Sequence, residues 1–331
     1  MKKNTYIIAE VAQAHDGSLG SAYAYIDAIS KTGVDAIKFQ THFAEEESTY
    51  DEPWRVKFSK QDKSRFDYWK RIEFTEKNWI DLKKYADKKN IDFISSPFSI
   101  KAANLLKKIR IKYWKIASGE IHNDDLINFC CEDNKPMLIS TGLVNDNELV
   151  KIYKKLKKIK KEFAFFHCVS MYPTTPKYWN LNNIIKLKEK FDCKIGFSDH
   201  SGDIYSSISA ATIGIDFLEV HVTFNKKSFG PDNLASLDIN QLEILVRGIR
   251  QIDDSKNYNL FNNLKTKNKK IFSRSLALKK PMSKGTILKK DDLILKKPGS
   301  GIQKTEIKKV VGKRLKVNKS HLRLLKKIDL E

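Results

Sequence analysis

Cysteine is scarce in this chain, with four residues in 331. Two of them, Cys130 and Cys131, are adjacent, and no Cys-x-x-Cys or framework spacing occurs. That argues against a disulfide scaffold, and the thiols read as reduced ones in a cytoplasmic protein. Long apolar runs are also missing, for nothing approaches the roughly 18 residues that a membrane span needs. The N-terminus enters Tyr6-Ile-Ile-Ala-Glu10 almost at once, a strand pattern rather than a secretion signal. No Gly-x-Gly-x-x-Gly turn follows that strand and no P-loop appears, which disfavours a doubly wound nucleotide-binding sheet. Acidic residues are outnumbered, 40 against 62 Lys and Arg, giving a formal charge of +22. The lysines, however, are spread over nearly every helical segment, and no basic stretch is interleaved with stacking aromatics. The charge therefore reads as a solvated surface that would attract anionic substrates, with no nucleic-acid or membrane partner.

What is present is a recurring alternation. Short β-rich apolar runs cover residues 5–12, 34–40, 92–98, 113–118, 136–142, 162–170, 193–199 and 217–224. Segments of helical periodicity lie between them at 21–31, 75–89, 101–108, 124–131, 146–160, 182–190 and 205–214, and one more follows at 240–253. Eight strands alternating with eight helices over about 250 residues predict an α/β fold of the (β/α)₈ barrel type. After residue 254 the pattern breaks into a polar Asn/Lys-rich linker at 255–270. A small β-rich module with little helix is predicted for 271–331.

A barrel places its reactive residues where strands end, and the polar residues here obey that demand. The stretch from Cys193 to Phe224 is a β-α-β unit that presents His200 and His221 on two parallel strands. Two imidazoles converging on one spot suit a borderline divalent metal with open positions, and two separate hydrogen-bonded histidines are the alternative. Lys38 and Lys115 each place a charge inside an apolar run, which is costly unless an anion or carboxylate pairs with it. Glu10, Gln40, Ser96, Ser118, Glu120, Ser140, Ser170, Tyr172 and Ser198 fall at or near other strand ends. The charged, aromatic insertion at 43–74 is too long for a plain connection. It reads as a cover over the barrel mouth, with packing or dimer contact as alternatives.

Lysines and hydroxyls make a cradle for a phosphate plus a carboxylate. A metal on the histidines would act as a Lewis acid, and Glu10 or Glu120 could orient a hydroxyl or move a proton. The set points to carbon–carbon bond formation between a phosphorylated enol and a carbonyl. A Schiff-base aldolase using Lys38 or Lys115, and a carbohydrate- or polyanion-binding scaffold without turnover, are the alternatives. A metal hydrolase would need further ligands that the sequence does not offer.

The motifs Ile8-Ala-Glu10, His15-Asp-Gly17, Lys38-Phe-Gln-Thr-His42, Ser95-Ser-Pro-Phe98 and Lys115-Ile-Ala-Ser-Gly-Glu120 run in order along the chain. Ser140-Thr-Gly142, His167-Cys-Val-Ser-Met-Tyr-Pro173, Gly196-Phe-Ser-Asp-His200, Glu219-Val-His221, Gly230-Pro-Asp232 and Pro298-Gly-Ser-Gly301 continue them. With these the chain resembles the sialic acid synthase family, including its legionaminic and pseudaminic acid siblings. The resemblance implies a TIM barrel followed by an antifreeze-like SAF domain. It also implies condensation of phosphoenolpyruvate with an acetamido hexose, with phosphate released. On that resemblance manganese or magnesium would sit on His200 and His221. Phosphoenolpyruvate would be held by Lys38, Ser96, Lys115, Ser118, Ser140, Ser170, Tyr172 and Ser198. Glu10, Gln40, Glu120 and Asp232 would face the sugar. The family arrangement further implies a homodimer with swapped SAF domains, in which Lys297 stands where an arginine is common. Lysine keeps that charge but loses the bidentate fork, so the acceptor stays open between N-acetylmannosamine and a 2,4-diacetamido hexose.

Overall fold

The computed structural model describes residues 4–256 and 258–331. The chain divides into two compact units, Met1–Asp254 and Ser255–Glu331. In the first, eight strands pair in parallel and in sequence order, and the eighth returns to the first to close a barrel. They are β1 (Tyr6–Ala12), β2 (Ala36–Thr41), β3 (Asp92–Pro97), β4 (Trp114–Ile116), β5 (Met137–Ser140), β6 (Phe163–Cys168), β7 (Lys194–Asp199) and β8 (Phe217–His221). The helices are α1 (Leu19–Ile29), α2 (Ala44–Glu47), α3 (Arg65–Ile72), α4 (Glu76–Lys88), α5 (Ile100–Lys108), α6 (Asp124–Cys131), α7 (Asp146–Lys158), α8 (Asn182–Lys190), α9 (Tyr205–Ile213) and α10 (Ile239–Ser255). The (β/α)₈ barrel predicted from the sequence is the observed fold.

Local chemistry starts and stops these elements. Ser64, Thr75 and Asn145 cap α3, α4 and α7 with reciprocal side-chain bonds to the third helical residue, which satisfies the free amides of the first turn. The left-handed Gly214 ends α9. Strand alternation then sorts the side chains. One face of each strand packs on the helices, in a cluster that includes Ile7, Ile37, Phe39, Trp114 and Phe165. The other face fills the barrel, where Ile8, Ala36, Ile94, Leu138, Ala164, Phe166 and Phe217 form a separate apolar cluster.

Strand ends differ from the sequence expectation by a few residues. The fourth strand stops at Ile116, because Glu120 N bonds back to Ala117 O and turns the chain into a tight helical turn over Ser118–Glu120. The insertion at 43–74 has a core of its own, built from Ala44, Tyr68, Trp69 and Ile72 with Trp54, Phe58 and Phe66 packed against it. Arg71 ties it to the loop after β1 through Asp16 (2.9 Å) and to its own Asp62 (2.9 Å). At that junction Gly17 has φ +77°, and a Cβ there would come within 3.0 Å of Arg71 O and Ile72 Cα. A side chain at position 17 would therefore push the insertion away.

The second unit opens with a correction. Residues 255–270, read as a linker, belong for the most part to helix α11 (Tyr258–Phe272). Its Asn/Lys richness hid a stretch free of Gly and Pro, which nothing breaks. Beyond it, β9 (Ser275–Leu278) pairs antiparallel with β10 (Leu293–Lys296). Isolated bridges such as Ala277–Leu324 and Leu315–Leu330 extend the arrangement around a core of Leu276, Leu278, Leu288, Leu315 and Leu325. Among the described residues, no helix of either unit is long and apolar enough to cross a membrane.

Candidate active site

Moving two residues along five of the strands from the apolar interior layer changes its chemistry. Ile8 gives way to Glu10, Ala36 to Lys38, Ile94 to Ser96, Leu138 to Ser140 and Phe217 to Glu219. All five polar residues are buried. They open into a cavity of about 420 Å³ at the C-terminal mouth. Lys38 Nζ is ion-paired with Glu10, lies 3.8 Å from Glu219 Oε2, and bonds Ser96 Oγ at 3.4 Å. Lys115 Nζ lies 3.6 Å from Glu219 Oε1 and donates to Ser140 Oγ. Gln40 donates to Glu10 Oε1 at 2.9 Å. Two lysines and two carboxylates thus form one compact network.

Burial sets the electrostatics. It pushes the Glu10 carboxyl up to about 7, against the pull of Lys38 and with added repulsion from Glu219. Burial lowers Lys115 below the usual lysine range, opposed by Glu219. For Glu219 burial acts upward, but Lys115, Lys38 and the two imidazoles outweigh it and the carboxyl stays low. Glu120, in the turn after β4, is raised by burial while Asn123 donates to it at 3.0 Å. A carboxyl that titrates near neutrality beside two cations has the character of a proton-handling group.

His200 and His221 meet in the same cavity with ring centroids 5.4 Å apart. His200 Nδ1 donates to Val169 O at 2.8 Å, which leaves Nε2 with its lone pair. His221 Nδ1 is buried without a hydrogen-bond partner. Burial, with the neighbouring ring second, lowers His200 to about 4, and burial also lowers His221. Both are therefore neutral donors at physiological pH. Two imidazoles with a free nitrogen fit a borderline divalent ion whose other positions go to water or substrate. Among the described residues no group of three or more His, Cys, Asp or Glu side chains could hold a metal ion.

The remaining barrel residues expected from the sequence fall around this centre. Ser118, Glu120, Ser170, Tyr172 and Asp232 line the cavity. A Cβ on Gly142 would lie 2.8 Å from both Cys168 Sγ and Ser170 Oγ and 3.2 Å from Ser118 Oγ, so only glycine lets these three groups converge. Tyr172 stacks on His200 with centroids 4.1 Å apart. Ser198 is buried, and its hydroxyl donates to Glu219 Oε1 at 3.3 Å. Lys297 is an exposed residue of the second unit.

The sequence reading gave two contributors no role. Glu219 is the carboxylate shared by both lysines; its position two residues before His221 on an alternating strand was the available signal. Arg55 comes from the insertion, with its guanidinium 4.2 Å over the Tyr172 ring and paired with Asp232. Nothing in its charged local sequence distinguishes it. The insertion itself contributes Trp54, Phe58, Tyr68 and Trp69 to the cavity, as expected of a cover.

Comparisons with known proteins identify the family. The NeuB family matches residues 25–260, and the SAF domain matches residues 273–331. The chain is 32% identical to the N,N'-diacetyllegionaminic acid synthase of Campylobacter jejuni subsp. jejuni serotype O:2, over 94% of this chain and 96% of that one. It is 30% identical to the N-acetylneuraminate-9-phosphate synthase of Homo sapiens, over 94% and 89%. Among solved structures, the N-acetylneuraminic acid synthetase of Leptospira borgpetersenii serovar Hardjo-bovis superposes with a TM-score of 0.70 at 31% identity. That superposition covers 77% of this chain and 86% of that one. The chain belongs to the NeuB family of sialic-acid-type synthases and carries a SAF domain at its C-terminal end.

Proposed function

We propose that the protein condenses phosphoenolpyruvate with an acetamido hexose, N-acetylmannosamine or a 2,4-diacetamido hexose, to give a nine-carbon 2-keto acid and phosphate. The observation that carries this reading is the buried Lys38–Glu10–Glu219–Lys115 network and two neutral histidines lining one cavity. Lys38 and Lys115, with Ser96 and Ser140, supply fixed donors for the phosphate and carboxylate of the enol substrate. Ser118 and Ser170, brought together over Gly142, add hydroxyls to the same cradle. In the reaction C3 of the enol bonds to the aldehyde carbon, water adds at C2, and phosphate leaves. His200 and His221 would hold a divalent metal, which when bound supplies a Lewis acid for the aldehyde oxygen. Manganese and magnesium are the two candidates for that ion. Glu10, near neutrality in its titration, moves the proton for the new hydroxyl or the attacking water, and Gln40 fixes its orientation. Glu120 and Asp232, which line the same cavity, would face the sugar.

The test is phosphate release from phosphoenolpyruvate with a panel of acetamido hexoses. Release that depends on one such sugar is expected, and release with none of them would refute the reading. A second reading, a Schiff-base aldolase, draws on the lowered titration of Lys115. Borohydride would then trap a carbonyl substrate on Lys115.

A further inference from the structure

One wall of the cavity carries a second hydrogen-bonded unit outside the residues assigned above. The insertion opens with three successive glutamates, and the fold treats them differently. Glu45 turns out to Lys70 (2.9 Å), and Glu46 to Lys101 (3.7 Å). Glu47 turns in, with its side chain only 8% exposed, and reaches the cavity. Its Oε1 accepts from His42 Nδ1 at 2.5 Å. Its Oε2 is buried and has no hydrogen-bond partner. A buried carboxylate oxygen without a donor is costly, and native structures rarely keep one without a use.

The imidazole that carries this carboxylate is itself fixed. His42 lies between Trp69 and Phe98, with ring centroids 4.2 and 4.4 Å away and planes within 24° and 21°. A carboxylate only accepts, so the proton facing Glu47 is on Nδ1, and Nε2 can accept from Gln13 Nε2 at 3.3 Å. Gln13 also donates to Gln40 Oε1, and Gln40 donates to Glu10. The wall therefore runs without a break from Glu47 to the proton-handling carboxyl. Glu120 lies near enough to Glu47 for the negative charge there to act on it.

We propose that Glu47 is a specificity-determining residue for the acceptor sugar: its free Oε2 accepts a hydrogen bond from a sugar hydroxyl or acetamido N–H, and His42 is the positioning residue that aims it. The inference rests on the proposed condensation and narrows its substrate class. A wall of carboxylate acceptors suits a neutral sugar rich in donors. It repels one bearing a phosphate at that end.

The test uses full-length Glu47→Gln and His42→Asn proteins and phosphate release with whichever of N-acetylmannosamine and a 2,4-diacetamido hexose the parent turns over. Glu47→Gln is expected to raise the acceptor KM by roughly 10–50-fold, the loss of one hydrogen bond to a charged group. The KM for phosphoenolpyruvate should stay within about twofold, as it should when only one substrate loses a contact. His42→Asn should raise the same KM by a smaller factor, and Glu47→Asp should fall between Glu47→Gln and the parent. An acceptor KM unchanged in Glu47→Gln, or two KM values that rise together, would overturn the inference while leaving the condensation standing. A variant that fails to bind phosphoenolpyruvate at all would assign Glu47 to the fold instead and so also overturn it. A parent that releases phosphate with no acetamido sugar would sink the condensation, and this inference with it.

Discussion

The foot and the mouth of the barrel interior are made by the same strands under the same alternation, yet they are filled in opposite ways. At the foot, Phe217 stands among Tyr6, Tyr113 and Phe166 at ring-centroid distances of 5.6, 5.9 and 5.7 Å. Two residues further along the same strand, Glu219 faces Lys38 and Lys115. The foot is an aromatic plug that gains stability from burial and dispersion. The mouth takes two lysines and two carboxylates out of water, an arrangement that rarely stabilises a fold and leaves an anion site in place. A plug placed directly beneath gives that site a rigid floor.

Substitutions at the two levels should separate activity from stability. The largest expected effect is at the mouth: His221→Ala should reduce metal-dependent turnover below detection with the melting temperature little changed. Full activity of the parent in a chelator would break this half of the comparison. Lys115→Met should lower kcat/KM for phosphoenolpyruvate by roughly 10²–10³-fold, the range for loss of one fixed donor to a charged group in a reaction centre. Phe217→Ala should do the reverse. It is expected to cost about 3–5 kcal/mol in denaturant unfolding, while turnover per folded molecule holds close to that of the parent.

Acid should weaken the mouth before the foot. His15 is buried and stacked on Phe74, and burial lowers its titration to about 3 from the ordinary 6.5. His200 is lowered to about 4, again mainly by burial. Both groups are harder to protonate folded than unfolded, so the unfolded chain takes up protons first. Their contribution is complete above pH 6.5 and is lost as pH falls toward 4 for His200 and toward 3 for His15, at about 2 kcal/mol from His15 alone by pH 5. Urea midpoints at pH 7.5 and 5 would measure that loss, and His15→Asn should shrink it. The smallest expected effect is at the rim. Arg55→Lys keeps the charge but loses the planar contact with Tyr172, and the acceptor KM should rise by roughly two- to fivefold; an unchanged value would remove Arg55 from the site.

Most of the mouth was legible because a charge inside an apolar strand run is conspicuous. Lys38 and Lys115 stood out for that reason, and the histidine pair for its place on adjacent strands. Glu219 was harder to assign, because a carboxylate two residues before a candidate ligand carries no mark of which cations it will face. Glu47 is one of three identical neighbours, and only the turn of α2 decides which of them points inward. Arg55 acts across 177 positions of sequence on Asp232, a pairing that no local pattern encodes. The helix α11 was missed for the opposite reason, since polar composition masked an unbroken helical stretch.

The central claim is that the four-charge network at the mouth is the binding site for phosphoenolpyruvate. Titration calorimetry of phosphoenolpyruvate into the parent and into Lys38→Met and Lys115→Met, at a temperature where all three are folded, tests it most directly. The account predicts one saturable site in the parent and at least a tenfold weaker one in each variant, as expected for loss of a charge-assisted hydrogen bond. Equal affinity in all three proteins would contradict it.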